Sequence, residues 1–533
     1  VLTNVAAVFI ENSLSDRNYR AAGVAAKERQ TAAIQFESMK PTAEQAAIVE
    51  AARSQKDLVI QAGAGTGKTS TLKMVARALG RRPAIYVAYN KAIATEAAAG
   101  FPEHVMCRTA HSLAFQAIGK KYAHRLKGPR ELPSRRAEIL GTTWLEFGTT
   151  VRIPPAQVAR IAVDTVMRYC YSADDEVGVK HVPYQNGVTG ADHDELARAV
   201  LPYAQRAWAD ACDPNGLLRF QHDYYLKMWA LARPKLQTDV VMLDEAQDSN
   251  AVVAHLIRSQ SHAQQLVVGD SSQQLYGWRG AIDALTDWPA DELLYLSQSW
   301  RFGRAIADEA NQWLSQLDTP LRLIGNPAIA SEIRSLTSPK AVLCRTNAEA
   351  IERAMDLLAT NQRVALVGGG ADIRRLAEAA GDLKNGRRTS HPELYVFTSW
   401  AQLQEYVEDD QAGRDLKPFV DLIDTHGAET IIDAVNSLVD EKNATATLST
   451  VHRAKGREWE SVAVAADFPE PLGRDEIPRA DAMIGYVAIT RARKLLDRDG
   501  LAWIDRFTRR HGHTRGTDQR RTGGAAGYVA SRR

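Results

Sequence analysis

Apolar and polar positions along the chain fall into two alternating blocks, each interrupted by a stretch of different period. From Pro41 to about Phe115, short apolar runs alternate with helical periodicity: Asp57-Leu58-Val59-Ile60 before a Gly-rich loop, Thr71 to Leu79 with helical spacing, then Ala84-Ile85-Tyr86-Val87-Ala88-Tyr89 and Val105-Met106-Cys107-Arg108. Strand-length apolar runs separated by helices predict a buried parallel sheet. Between about 116 and 215 the helical period dominates, broken by a Gly-rich polar stretch near Asn186 to Gly190, and this reads as a helical insert. Strand signals return at Val240 to Leu243 and Gln265-Leu266-Val267-Val268. A second alternating unit is expected after the Trp288-Pro289 turn, with strands at Leu293 to Leu296, Ala341 to Leu343, Val364 to Val367, Ala446 to Ser449 and Ser461 to Ala465. Residues 371–440 read as another helical, charged insert. Residues 1–40 form an Ala-rich, helix-prone lead, and residues 506–533, rich in Arg, Gly and Thr, read as a disordered basic tail.

Composition narrows the class without deciding it. At 533 residues the chain is too long for one core, and its length suggests about three or four domain-sized units. It has no run of about 18 apolar residues, so no membrane span is expected. Val1 to Phe9 is apolar, but Glu11 follows and no basic region precedes it, so no secretory signal is expected. Cys107, Cys170, Cys212 and Cys344 lack metal-ligand or disulfide spacing, which points to a reduced, cytosolic protein with no zinc or iron–sulfur centre. Net charge is only +2, so a nucleic-acid groove would have to be locally basic.

Two motifs carry the chemistry. Ala62-Gly63-Ala64-Gly65-Thr66-Gly67-Lys68-Thr69-Ser70 lies between a predicted strand and a predicted helix, the context in which backbone amides close around phosphates. Lys68 would reach the terminal phosphates and the Thr69 hydroxyl would help hold Mg²⁺. Ala62 stands where the general pattern has glycine. In the second motif, the apolar run Val240-Val241-Met242-Leu243 ends in Asp244-Glu245-Ala246-Gln247-Asp248. Both carboxylates therefore emerge at the carboxyl edge of a parallel sheet, where open α/β sheets bind ligands. Asp244 suits Mg²⁺ and Glu245 suits polarising an attacking water.

From this point the chain resembles the superfamily 1 helicases of the UvrD, PcrA and Rep type, and most closely the branch with the F-box DNA helicases and related phage enzymes. The resemblance runs over about residues 41–500, with motifs in the family's order. It implies that Gln45, in Pro41-Thr42-Ala43-Glu44-Gln45, reads adenine. In Gly269-Asp270-Ser271-Ser272-Gln273-Gln274-Leu275-Tyr276-Gly277-Trp278-Arg279 it implies that Gln273 senses the γ-phosphate while Tyr276, Trp278 and Arg279 contact single-stranded DNA. Ser299-Trp300-Arg301-Phe302 and Tyr486-Val487-Ala488-Ile489-Thr490-Arg491 supply two arginines for the γ-phosphate, Arg301 and Arg491, with Trp300 in the place of the family's usual adenine-stacking Tyr. In Thr450-Val451-His452-Arg453-Ala454-Lys455-Gly456-Arg457-Glu458, Thr450 and His452 are implied to touch the DNA backbone and Glu458 the ribose. Tyr89 and Asn90, then Thr109 and His111, match the stretches that stack a base and grip the backbone. Lys120, Lys121, Arg125, Lys127 and Arg130 form a basic cluster that reads equally as a duplex contact or a solvated face.

The implied fold class is α/β, with two RecA-like P-loop NTPase domains of parallel sheets flanked by helices, each with a mainly helical insert. The expected boundaries are 41–115 with 216–290 for the first domain, 116–215 for its insert, 291–370 with 441–505 for the second, and 371–440 for its short insert. The implied function is an ATP-dependent 3′ to 5′ DNA helicase that uses ATP and Mg²⁺ on single strands and single-to-double-strand junctions, in replication, repair or recombination. Two alternatives stay open: a translocase that strips proteins from DNA, and the motor subunit of a nuclease or defence complex with a protein partner. No membrane partner is expected. The expected location is the cytoplasm and nucleoid of a bacterial or phage-infected cell, or a nucleus in a eukaryote.

Overall fold

The computed structural model describes residues 40–507, apart from 129–130, 148–150, 187, 189, 276–282, 410–414 and 472–475. The lead at 1–39 and the basic tail from 508 lie outside the described residues. Two six-stranded parallel sheets organise the rest. The first contains β1 (Leu58–Ala62), β2 (Ala84–Ala88), β3 (Val105–Thr109), β6 (Val240–Leu243), β7 (Gln264–Gly269) and β8 (Glu292–Leu296), with a separate hairpin of β4 (Leu145–Phe147) and β5 (Val151–Ile153) between them in sequence. The second contains β9 (Glu332–Ile333), β10 (Ala341–Cys344), β11 (Val364–Leu366), β12 (Ala446–Thr450), β13 (Trp459–Val464) and β14 (Ala492–Asp497). The orders are β3-β2-β6-β7-β1-β8 and β11-β12-β10-β13-β14-β9.

Both faces of the first sheet are buried, which is why its strands read as nearly continuous apolar runs. Alternate residues feed opposite cores. Val59, Ile85, Val87, Val241, Leu243 and Val267 face the helices of residues 116–231, while Leu58, Ile60, Tyr86, Val240, Met242, Leu266 and Val268 pack on the helices Ala43–Arg53 and Lys68–Ala78. In the second sheet, Leu343, Val462, Val464 and Leu496 pack on the helices Arg304–Leu314 and Arg479–Ile489. On its other side one apolar cluster runs without a break from Cys344, Val364, Leu366 and Leu448 to Ile373, Leu394, Leu403, Ile423 and Ile431. The stretch 371–440 thus shares its core with the second sheet rather than standing apart. It also touches the first insert, where the Tyr395 hydroxyl bonds Gln185 Oε1 at 3.0 Å and Gln157 Nε2 donates to the Ser390 carbonyl at 3.1 Å.

Four features differ from the sequence-based expectation. The strand expected at Leu293 to Leu296 in the second unit instead closes the first sheet, as β8 pairs with β1 in the register Leu58↔Glu292. The Trp288-Pro289 turn is no boundary, because Trp288 is buried in the first core and its indole N–H bonds Gln265 at 3.0 Å. The first insert also contains the β4–β5 hairpin, whose three-residue strands are too short to show a period. Finally, β14 and β9 complete the second sheet without having been expected; Arg493 and Lys494 in β14 face solvent, which hides the strand in an apolar scan.

Candidate nucleotide and nucleic-acid site

Strands β6, β7 and β1 are neighbours, so the segments that follow them emerge side by side at one sheet edge. The loop after β1 closes into the helix Lys68–Ala78, with Gly65 and Gly67 at φ +72° and +80°, a region in which a side chain is strained. A Cβ at Gly65 would also lie 2.6 Å from the Arg301 Cβ and 2.8 Å from the Ser299 hydroxyl. Ala62 ends β1, buried, and a Cβ at Gly63 would strike Leu323. The buried Thr66 hydroxyl donates to the Gly63 carbonyl at 2.9 Å, and Ser70 lies in the first turn of the helix. Lys68 Nζ lies 3.1 Å from Glu245 Oε1, and the Thr69 hydroxyl donates to Asp244 Oδ2 at 3.0 Å. The four residues that the sequence assigns to phosphate, metal and water therefore form one cluster.

The electrostatics assign the charges. Burial alone would lower Lys68, but Glu245, Asp270 and Asp244 around it hold the ammonium above its ordinary range. Burial would raise Glu245, yet Lys68 and the Gln247 amide outweigh it and keep this carboxylate ionised. Asp244 moves the other way, raised by burial and by the charge on Glu245. Tyr86 and Thr69 both donate to Asp244 Oδ2, at 2.5 and 3.0 Å. Glu245 is held at φ +53°, left-handed backbone that costs a non-glycine residue roughly 1–2 kcal/mol. Gln247 secures it there: its amide N–H donates to Glu245 Oε2 at 2.7 Å while its carbonyl accepts from the Asp270 amide at 2.9 Å. Thr69 and Asp244 offer two oxygen ligands, a sparse set that fits Mg²⁺, which keeps waters and takes further oxygens from substrate phosphates.

The second sheet contributes across the cleft. Arg301 Nε donates to Glu458 Oε2 at 2.6 Å, and its Nη1 to the Thr490 carbonyl at 3.1 Å. Arg491 is fully buried, and Nη2 donates to Gln273 Oε1 at 3.2 Å and to Thr490 Oγ1 at 2.8 Å. Burial, followed by the like charge of Arg301, pushes Arg491 down to about 9, which leaves it charged at neutral pH. Trp300 is 41 % exposed and its indole lies beside Gly67, where a Cβ would meet it at 3.6 Å. Its backbone N–H donates to the Gly65 carbonyl at 2.8 Å. Gln45 is buried and caps its own helix, accepting from the Thr42 amide at 3.0 Å and donating to Thr71 Oγ1 at 3.2 Å.

Residue by residue, a family model described as an AAA domain matches 45–279, and one described as a UvrD-like helicase C-terminal domain matches 445–496. These spans hold the phosphate loop, Asp244, Glu245 and Gln273 in the first case and Thr450 to Arg491 in the second. The chain is similar to the UvrD-like helicases. This UvrD-like chain is 28 % identical over 508 residues to F-box DNA helicase protein 1 of Schizosaccharomyces pombe, covering 85 % of this chain and 57 % of that protein. It is 28 % identical over 490 residues to F-box DNA helicase 1 of Gallus gallus, covering 82 % and 46 %. DNA helicase II of Escherichia coli is 32 % identical over 120 residues, 20 % of this chain and 17 % of that one. The UvrD-like chain thus spans about half the length of the F-box relatives it matches.

The nucleic-acid residues predicted for this UvrD-like chain are less uniformly placed. Tyr89 follows β2 and is 54 % exposed. Asn90 and Thr109 act as helix caps, accepting from the Ile93 amide at 3.0 Å and the Ser112 amide at 3.1 Å, and His111 bonds Asp223 at 3.0 Å. Thr450, at the end of β12, and His452 line a cavity of about 1630 Å³ together with Arg345, His391 and Arg453. Tyr276, Trp278 and Arg279 lie outside the described residues. In the basic cluster, Lys120, Lys121 and Lys127 are exposed, whereas Arg125 is buried against Asp210 at 2.9 Å and the Leu218 carbonyl at 2.8 Å. It braces the insert, while Arg130 lies outside the described residues.

Sequence reasoning missed several members of the site. Lys455 and Asp248 form a buried cross-cleft ion pair at 2.5 Å, and Lys455 also donates to the Gln273 carbonyl. Tyr86, Gln247 and Tyr486 were read only as strand or motif context. Tyr86 and Tyr486 meet Asp244 and Ala64 from 158 and 422 positions away, so no local signal marks them, whereas Gln247 reaches Glu245 within the motif itself.

Proposed function

We propose that this chain is an ATP-dependent DNA helicase that tracks 3′ to 5′ on single-stranded DNA. The observation that carries the reading is the convergence of Arg301 and Arg491, from one half of the protein, on the phosphate loop and Gln273 of the other. In this reading Lys68 binds the terminal phosphates, the ionised Glu245 orients water for attack, and Arg301 and Arg491 stabilise charge in the transition state. Thr69 and Asp244 would hold Mg²⁺, which supplies neutralisation of phosphate charge. Trp300 offers a face to adenine, Gln45 its edge contact and Glu458 the ribose contact. Gln273 joins this site to the DNA groove, where Tyr89 stacks a base and Asn90, Thr109, His111, Thr450 and His452 grip the backbone, while Tyr276, Trp278 and Arg279 contact the single strand, Trp278 by stacking.

Tyr89 supports the direction, because a bulky exposed ring at this position accompanies 3′ to 5′ movement in the family that the chain resembles. The site of action would be wherever the cell holds its DNA. A second reading, displacement of bound proteins with little unwinding, draws support from the helices of 371–440, which are packed into the second core. The test is strand displacement on 3′-tailed, 5′-tailed and forked duplexes with ATP and Mg²⁺, beside release of a protein roadblock from a single strand. Unwinding of 3′-tailed substrates is expected; unwinding from 5′ tails alone would reverse the direction, and roadblock release without unwinding would favour the second reading.

A further inference from the structure

The helix Arg479–Ile489 carries a side chain that the roles above leave unused. Tyr486 is fully buried, and its hydroxyl accepts from the Ala64 amide of the phosphate loop at 3.0 Å while donating to Asp270 Oδ2 at 3.1 Å. Asp270 Oδ2 also accepts from Gln273 Nε2 at 2.5 Å, and Gln273 Oε1 accepts from Arg491. The chain of bonds therefore leaves the second half at Tyr486, passes through Asp270 and Gln273 of the first, and returns at Arg491. The helix is fixed from behind, since a Cβ at Gly485 would lie 2.3 Å from the Trp313 ring. Arg491 lies two residues past the end of this closely packed helix.

We propose that Tyr486 is a positioning residue that ties the phosphate loop directly to the segment bearing Arg491, so that the placement of this arginine follows the state of the Ala64 amide. The proposal rests on the nucleotide-hydrolysis reading above. Loop amides are the groups that bind phosphate. A phosphate oxygen that recruits the Ala64 N–H competes with the Tyr486 hydroxyl for it, and the freed hydroxyl remains held by Asp270. Occupancy of the loop is thereby reported to the arginine by a route that does not pass through substrate, and Tyr486 itself touches no reacting atom.

Tyr486→Phe keeps the ring and deletes only the hydroxyl. With saturating single-stranded DNA, kcat for ATP is expected to fall at least tenfold, while the Kd of a fluorescent ADP changes less than threefold. Loss of a merely structural hydroxyl would not separate the two. In an Arg491→Ala background, followed by single turnover with excess enzyme, the same substitution should change the rate less than twofold because no arginine remains to be positioned. Equal fractional losses in both backgrounds, or an unchanged kcat in Tyr486→Phe, would overturn the proposal. Should circular dichroism show Tyr486→Phe unfolded, Asp270→Asn, which leaves the ring packing intact, faces the same paired comparison. If the unaltered protein hydrolyses no ATP, the parent reading falls and this one with it; normal hydrolysis with a normal Tyr486→Phe sinks this one alone.

Discussion

Lys455→Met removes one partner of the buried ion pair that bridges the two halves. Lys455 Nζ and Asp248 Oδ1 are 2.5 Å apart, and the side chains are only 8 % and 6 % exposed. Burial lowers Lys455 and raises Asp248, each opposed by the charge of its partner. Deleting the ammonium leaves Asp248 the long hydrogen bond from the Gln247 amide, at 3.2 Å, in place of a cation. Breaking a buried pair in this way costs about 3–5 kcal/mol. An independent bound comes from protonation: at pH 7, neutralising a carboxyl of ordinary pKa near 4 costs about 4 kcal/mol, so Asp248 will take up a proton before the penalty grows further.

A loss of about 3–4 kcal/mol should lower the thermal midpoint by roughly 3–4 °C for a chain of this size, read by differential scanning calorimetry. The penalty also has a pH signature. In the variant the folded pKa of Asp248 is raised above its unfolded value, so the destabilisation is complete above the folded pKa and fades as pH falls towards the unfolded one. The gap to the unaltered protein should therefore narrow between pH 7.5 and 5, by at most about 1.4 kcal/mol per unit. Adding Asp248→Leu should restore most of the midpoint, because an apolar pair replaces the ions without leaving a lone charge. A drop below about 2 °C in Lys455→Met, or a double variant no more stable than the single, would refute the reasoning.

Gln273→Ala should keep nucleotide binding and lose about 10–100-fold in DNA-stimulated turnover, since Arg491 forfeits a charge-assisted hydrogen bond worth about 1.5–3 kcal/mol; steady-state ATPase with and without oligonucleotide checks it. Tyr89→Ala should weaken single-strand binding by about 1–3 kcal/mol without changing the salt slope, as measured by anisotropy at several salt concentrations, because stacking is lost but no phosphate contact is. Lys227 is buried against the Tyr169 ring at 4.2 Å and donates to the Ser172 and Asp174 carbonyls at 2.8 and 2.5 Å. Burial pushes it down to about 8, below its unfolded value, so the unfolded chain binds more protons between pH 8 and about 10.5 and this lysine adds stability as pH rises through that window. In Lys227→Met that rise should vanish from the pH dependence of the melting temperature.

Local signals carried far. The phosphate loop, the Asp244-Glu245 turn and most strands are legible because each depends on residues adjacent in sequence: glycine conformations, apolar runs, a strand followed by a helix. What stayed hidden depends on pairing. The pattern of β8 says strand but not which sheet, and its partner β1 lies more than 200 residues earlier. Arg125 has the same composition signal as its exposed lysine neighbours, yet Asp210 and the carbonyls after it draw it inside. Tyr486 and Ala64 are 422 positions apart, and nothing around either predicts the other. Asn90 and Thr109 show a further limit, since one residue type serves a helix cap and a phosphate contact equally well.

Because β8 closes the first sheet and all strands of the second follow it, the described strands pass from one half to the other only once. That crossing is fastened to the first half at three residues: Ser297 to Glu44, Ser299 to the Ala64 carbonyl, Trp300 to the Gly65 carbonyl. Among the described residues, the covalent link between the halves is therefore the segment that leaves β8 and supplies Trp300 and Arg301 to the second half. Arg301 is thereby held from both sides, by its own segment next to the phosphate loop and by Glu458 and the Thr490 carbonyl across the cleft. A single inserted residue at Gln298 would therefore throw this crossing, the Trp300 ring and the Arg301 guanidinium out of step together.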